Sequence, residues 1–183
     1  MSWEHEMAAV ADSWELLAAA AANHAHACRV IALATTSDVG PKVRSLVLRQ
    51  CEPDLRSLIC YTDIRSDKVS QIRQWPSAEL LAYEPSERLQ VRARGRLRVV
   101  SRGALWRQAW VQLSERQRGE YCRTITATDV DLGADSVARA RRNFAVLQLQ
   151  VKHLDVLQIG RAGHQRVQAR WSRGAWLAKW ALP

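Results

Sequence analysis

Residues Leu89–Val100, LQVRARGRLRVV, alternate without a break. Leu89, Val91, Ala93 and Gly95 fall on one side of a two-residue period, and Gln90, Arg92, Arg94 and Arg96 on the other. In a helix these two sets would mix around the axis, so the pattern belongs to a strand. One face of that strand is buried, and the other is wet or contacts a ligand. Gly95, inside the apolar series, marks a bulge or bend. One-sided strands of this kind belong to antiparallel sheets, so the chain must supply antiparallel partners.

The partners are easy to find. Val30–Thr36 (VIALATT) is rich in β-branched residues and reads as a strand. A turn over Thr36–Pro41 follows. Val43–Gln50 then places Val43, Ser45 and Val47 on one face and Arg44, Leu46 and Leu48 on the other. Pro53-Asp54 marks the next turn, and Arg56–Thr62 the next strand, which makes a meander. Further strands are predicted over Ala78–Tyr83, Phe144–Val151, Asp155–Ile159, Gln165–Trp171 and Trp176–Ala181. Helical spacing predicts an N-terminal helix over residues 3–28, on Val10, Trp14 and Leu17. A short helix over Lys68–Trp75 is capped by Ser66 and stopped by Pro76. Leu105, Trp106, Ala109, Trp110 and Leu113 predict an amphipathic helix over Arg102–Leu113, with another short one over Ser114–Tyr121. Thr124–Ser136 is polar and acidic and reads as a mobile loop.

Seven to nine strands in meander order, with three or four helices, exclude strict βαβ alternation. The expected class is mainly β: a small antiparallel barrel with an N-terminal helix and helices between strands. Residues 1–183 are expected to form one domain.

Composition removes some functions. No run of 18 apolar residues exists, so no spanning helix is expected. The start, Met-Ser-Trp-Glu-His-Glu, lacks the basic region of a signal peptide, and a cytoplasmic protein is expected. Cys28, Cys51, Cys60 and Cys122 have no C-x-x-C spacing, so they read as buried or incidental thiols, with no metal. The 27 cations exceed the 18 anions by 9, and all but four cations are arginine. That balance suits nucleic acid or a phosphorylated ligand, and equally a solvated arginine-rich surface.

Placement is more informative than the total. YTDIRSDKV (61–69) crowds Tyr61, Thr62, Ser66 and Lys68 at the end of a strand and the start of a helix. A meander sets this stretch beside the Arg44–Arg49 strand. Cations, hydroxyls and a helix N-terminus together suit a phosphate dianion. Gln90 on the wet strand face and His164-Gln-Arg166 entering a late strand complete the set. Taken singly, each residue has a plainer reading: rim arginines in surface ion pairs, a serine that only caps, a solvated lysine, a surface histidine.

RSLVLR (44–49), YTDIRSDK (61–68), WPSAELLAY (75–83), LQVRARGRL (89–97), HQRVQARW (164–171) and WLAKWALP (176–183) occur here in one order and spacing. In this the chain resembles the pyridoxamine 5′-phosphate oxidase-like proteins, over residues 28–183. The resemblance implies a split β-barrel that binds FMN at a homodimer interface. It implies that Arg44 and Lys68 contact the FMN phosphate, that the backbone of Ser45, Leu46, Val47 and Leu48 runs along the flavin, and that Tyr61 and Thr62 line the cofactor. Ser66 would join them as cap and donor. Gln90 is matched to a glutamine near the ring system and Arg166 to an arginine approaching it; Arg49 would bind the cofactor through its backbone, and Arg49 and His164 are matched to positions facing the substrate. Asp67, Leu157 and the Ala162-Gly163 pair depart from the oxidase pattern, which points to a related branch and away from a vitamin B6 substrate.

The expected function is thus an FMN-binding flavoprotein, an oxidoreductase acting on a small substrate, with no catalytic side chain identified. Two alternatives stand beside it. One is a basic barrel that binds nucleic acid along Arg92, Arg94, Arg96 and Arg98, against which the interleaved exposed aromatics are missing. The other is a flavin store or redox sensor without turnover.

Overall fold

A computed structural model of the chain describes residues 3–122, 134–160 and 163–183. Eight strands among them form one antiparallel sheet: β1 (Val30–Ser37), β2 (Gly40–Glu52), β3 (Ser57–Asp63), β4 (Ser77–Glu84), β5 (Leu89–Val100), β6 (Phe144–Gly160), β7 (Gly163–Ser172) and β8 (Ala175–Ala181). The order is β3-β2-β1-β4-β5-β6-β7-β8, and a further pairing of β3 with β6 closes six of the strands into a ring. Strands β7 and β8 extend from β6 as an outer hairpin.

The period-two reading of β5 is correct in bounds and in facing. Leu89, Val91, Ala93 and Leu97 are buried, while Arg94, Arg96 and Arg98 are exposed. The register with β6 slips between Arg94 and Gly95, because Arg94 pairs with His153 and Gly95 with Val151. Lys152 is the extra residue of this bulge. A Cβ on Gly95 would stand 1.9 Å from the Gln150 carbonyl oxygen, so the close approach requires glycine.

The helices are α1 (Glu6–Ala22), α2 (Asp67–Gln74), α3 (Ala104–Gln112), α4 (Glu115–Glu120) and α5 (Ala134–Asn143). The predicted N-terminal helix runs too long. It ends at Ala22, because the Asn23 side chain accepts the Ala25 amide at 2.9 Å, a turn that competes with helix. One 3-10 turn, Ala27–Arg29, then leads into β1. The predicted turn over Thr36–Pro41 shrinks to Asp38-Val39, since Thr36 pairs with Pro41 and Ser37 with Gly40. The two strands predicted over 144–151 and 155–159 are one strand, β6. Most of the loop predicted over 124–136 lies outside the described residues, but its last residues belong to α5, a helix the reading missed. α5 buries small Ser136 and Ala140, so its inner face carries little apolar signal.

Two apolar clusters hold the fold. The first fills the ring with Ile31, Leu33, Leu48, Leu80 and Leu149 and receives Val10, Trp14 and Leu17 from α1. The second packs α3 against the sheet through Trp106, Trp110, Phe144 and Ile59. The indoles of Trp106 and Trp110 stack at 6.0 Å, and Trp106 Nε1 donates to the Phe144 carbonyl at 3.0 Å. Among the described residues no helix is long and apolar enough to cross a membrane.

Candidate functional site

The alternation of β2 sends Arg44 to the same side as Leu33, its partner on β1. There it reaches the end of the ring where α2 begins. Arg44 Nη1 donates to Thr35 Oγ1 at 2.5 Å and to the Lys42 and Leu33 carbonyls at 3.1 and 3.3 Å. Its Nη2 donates to Gln71 Oε1 at 3.0 Å, which also accepts from the Thr35 hydroxyl at 3.0 Å. Thr35 and Gln71 went unnoticed in the sequence. A signal was present for Gln71, which stands three residues after Lys68 and so on the same face of α2.

Lys68 lies beside this group. Its Nζ donates to Ser66 Oγ at 2.8 Å and to Thr62 Oγ1 at 3.2 Å. Ser66 occupies the N-cap position of α2 as expected, but its hydroxyl makes no capping bond. It turns to Lys68 instead, which leaves first-turn amides of α2 for another acceptor. Burial and then the charge of Arg44 push the Lys68 ammonium down from its ordinary range, with Asp63 and Asp67 opposing. Burial alone lowers Arg44. Neither cation has an ion pair among the described residues. Two half-buried like charges, set among hydroxyls and an amide, are an arrangement that a bound anion would neutralise.

Ser45 and Val47 face outward, while Leu46 is half-buried and Leu48 fully buried, so Leu48 can offer a ligand its backbone only. Arg49 is the extra residue where the β2–β3 register slips, between Leu48/Cys60 and Gln50/Ile59. It leaves the Arg44 group and stacks over the Tyr61 ring at 5.4 Å, with its Nε buried and without a hydrogen-bond partner among the described residues. The Tyr61 hydroxyl reaches Gln112 Oε1 at 3.4 Å, and burial raises its phenol. Tyr61 and Thr62, neighbours on β3, therefore serve two separate groups of side chains.

Gln90 and Arg166 stand elsewhere on the same protomer. Tyr83, Gln90, Leu157, Arg166 and Ala181 pair in sequence across β4, β5, β6, β7 and β8, so they form one row on the outer face. Arg166 is held in a two-pronged contact with Asp155, Nε at 2.9 Å and Nη2 at 2.7 Å. Burial pushes the Asp155 carboxyl up, but bonds from Arg166 and Gln168 and the charges of Arg166 and Arg92 bring it below its usual range. Asp155 is a partner of Arg166 that spacing alone could not reveal. Arg92 is ion-paired to Glu79 and lies 3.8 Å from Asp155. His164 is exposed at the start of β7, opposite Ile159. The structure thus gathers Arg44, Thr62, Ser66 and Lys68 and leaves Arg49, Gln90, His164 and Arg166 apart from them within one chain.

The outer face next to Ser45 carries exposed apolar residues: Val30, Val43, Leu81 and Tyr83 are 56, 68, 37 and 44% exposed. Val43 pairs with Ala34, and Ala32 with both Ser45 and Leu81, so these side chains form a continuous surface over β2, β1 and β4.

The sequence profile of the pyridoxamine 5′-phosphate oxidase FMN-binding domain matches residues 11–101. No functionally curated protein matches the chain. Among solved structures, a pyridoxamine 5′-phosphate oxidase-related, FMN-binding protein of Nostoc punctiforme is 25% identical, with both chains wholly covered and a TM-score of 0.74. PhzG of Burkholderia lata, solved with tetrahydrophenazine-1-carboxylic acid, is 17% identical with a TM-score of 0.73, covering 97% of this chain and 93% of its own. A protein of Clostridium acetobutylicum related to general stress protein 26 is 8% identical with a TM-score of 0.60, covering 88% of this chain and 95% of its own. The matched domain and a structural likeness that covers the whole chain make this protein a member of the pyridoxamine 5′-phosphate oxidase-like family.

Proposed function

We propose that the chain is an FMN-binding flavoprotein that works as a homodimer and oxidises or reduces a small substrate. One observation carries the reading: Arg44 and Lys68 lie together, half-buried, among the hydroxyls of Thr35, Thr62 and Ser66, without an ion-paired carboxylate among the described residues. A phosphate monoester is dianionic near neutral pH and accepts several bonds at once, which matches this donor set. Arg44, Thr62, Ser66 and Lys68 would hold the phosphate, with α2 contributing its first-turn amides.

The remaining residues fit a site shared between two chains. Gln90 and Arg166 belong to the outer face, as do Ser45 and the exposed apolar residues around Leu81. Joining two copies through this face would cover those apolar groups and let the row of one chain meet the phosphate end of the other. Leu46, Val47 and Leu48 would then offer backbone to the ring, and Tyr61 would line it. Bound FMN supplies hydride chemistry at its ring, and the chain supplies binding, orientation and charge. Arg49, with an unpartnered Nε, and exposed His164 are the residues placed to meet an anionic substrate. The ion pairs of Arg92 with Glu79 and Asp155 count against a nucleic-acid track along β5.

The test is the absorption spectrum of the purified full-length protein, followed by mass spectrometry of the released pigment. Flavin bands and one FMN per chain are expected. A colourless protein that ignores added FMN would refute the reading. A flavin that no reductant or substrate reduces with turnover would restrict it to binding.

A further inference from the structure

Three side chains of metal-ligating type, two from the α1–β1 junction and one from the end of β4, meet below that junction. His26 caps the 3-10 turn that holds Cys28, and Glu84 ends β4. One ligand atom of each lies within 4.8 Å of the other two. Cys28 is fully buried and Glu84 is nearly so. The cofactor reading does not account for a thiol, an imidazole and a carboxylate gathered here.

Their hydrogen bonds leave the cluster short of a positive charge. Glu84 Oε1 accepts from the Ser86 hydroxyl at 2.8 Å and the Ser86 amide at 3.2 Å. Its Oε2 lies 3.6 Å from His26 Nδ1. That same Nδ1 accepts the Cys28 amide at 3.1 Å. A ring nitrogen whose lone pair receives one N–H has no proton of its own to offer a carboxylate. Two lone pairs therefore face each other in a buried setting, where a carboxylate needs a cation. A metal ion satisfies both. It takes the lone pairs of Nδ1 and Oε2 and binds Cys28 as thiolate, whose proton passes to solvent. The exchange gives up one amide hydrogen bond for three metal bonds.

The donor set selects the ion. One thiolate, one imidazole and one carboxylate suit zinc and its neighbours, not calcium or magnesium. Ligands on tetrahedral zinc stand about 3.5 Å apart, given bonds of about 2.0–2.3 Å. The Nδ1–Oε2 separation of 3.6 Å already meets this, so the sulfur has the adjustment to make. Cysteine spacing could not disclose the site, because the ligands share no motif. We propose that His26, Cys28 and Glu84 bind one zinc-class cation, which fastens the α1–β1 junction to the end of β4. The site shares no residue with the Arg44–Lys68 group, so the two readings stand or fall separately.

The full-length protein is freed of metal with a chelator and titrated with Co²⁺, then with Zn²⁺. One equivalent of Co²⁺ per chain is expected, with thiolate-to-cobalt charge-transfer absorption in the near ultraviolet that Zn²⁺ abolishes. Cys28→Ser should remove that band, Glu84→Gln should weaken Co²⁺ binding at least about tenfold, and Cys51→Ser should change neither. Zn²⁺ should also protect Cys28 from alkylation, as located by peptide mass spectrometry. Circular dichroism of each metal-free variant checks folding. If Cys28→Ser fails to fold, Glu84→Gln and the alkylation of the unmodified sequence decide the matter. Absence of stoichiometric binding, a band that survives Cys28→Ser, unchanged affinity in Glu84→Gln, or alkylation indifferent to Zn²⁺ would each overturn the proposal.

Discussion

The double variant Arg44→Ala/Lys68→Met removes the two charges that would meet a phosphate and leaves the face proposed for the flavin ring alone. A charge-assisted hydrogen bond contributes about 1.5–3 kcal/mol. Losing both should cost about 3–5 kcal/mol, so FMN binds between a hundredfold and several thousandfold more weakly, each tenfold being about 1.4 kcal/mol. Riboflavin carries the same ring without the phosphate, and its affinity should stay within about twofold. Both dissociation constants are read from quenching of flavin fluorescence on titration. Arg44 also holds Thr35 and Gln71, so Lys68→Met alone is the cleaner fold control. Lys68 sits against the charge of Arg44, and its removal should leave the ligand-free protein at least as stable to heat. FMN affinity unchanged in the double variant, or riboflavin affinity falling in step with it, would refute the phosphate assignment.

The depressed Lys68 ammonium makes a pH prediction. The unfolded chain holds this proton up to the ordinary lysine value of 10.5, and the ligand-free folded chain releases it earlier. Between the two, the unfolded state binds more protons, so stability of the ligand-free protein should rise with pH across that window. FMN affinity should fall over the same window, and both slopes should vanish in Lys68→Met; slopes that persist there belong to another group. Gly95→Ala drives a Cβ into the Gln150 carbonyl and should cost about 2–4 kcal/mol in urea unfolding, whereas a loss under about 0.5 kcal/mol would mean the bulge yields easily. Asp155→Asn leaves Arg166 and Arg92 without their shared carboxylate and should cost about 1–2 kcal/mol by the same measurement, against no change if the contact is idle. Leu81→Arg puts a charge into the exposed apolar face and should convert a dimer to a monomer in light scattering, while an intact dimer would move the interface elsewhere.

The sheet was legible because its strands alternate cleanly. The alternation of Leu89–Val100 sets its own facing, and that of Val43–Gln50 separates Arg44 from Ser45. The clustering of Arg44, Thr62, Ser66 and Lys68 was legible for the same reason, since they stand at the ends of readable elements. Long-range partners were not. Thr35 and Gln71 matter only because they accept from or donate to Arg44's group, and Asp155 only because it meets Arg166 across a strand. Ser66 was read for its capping habit, yet its hydroxyl goes to Lys68. The helix α5 escaped because burying Ser136 and Ala140 leaves no apolar stripe to see. The division of 144–160 into two strands followed from Lys152 and His153, a polar pair where the bulge breaks the alternation.

That unbroken β6 has a mechanical consequence. Val146–Gln150 is clasped between β3 and β5, and His153–Gln158 between β5 and β7, with Val151 anchored to the Arg56 carbonyl at 2.8 Å. One rod thus serves as the seam of the closed wall and the root of the outer arm. Its paired amides should be the slowest in the molecule to exchange with deuterium, and slack introduced at the Ser172–Ala175 tip meets a single joint along the rod, the bulge at Lys152.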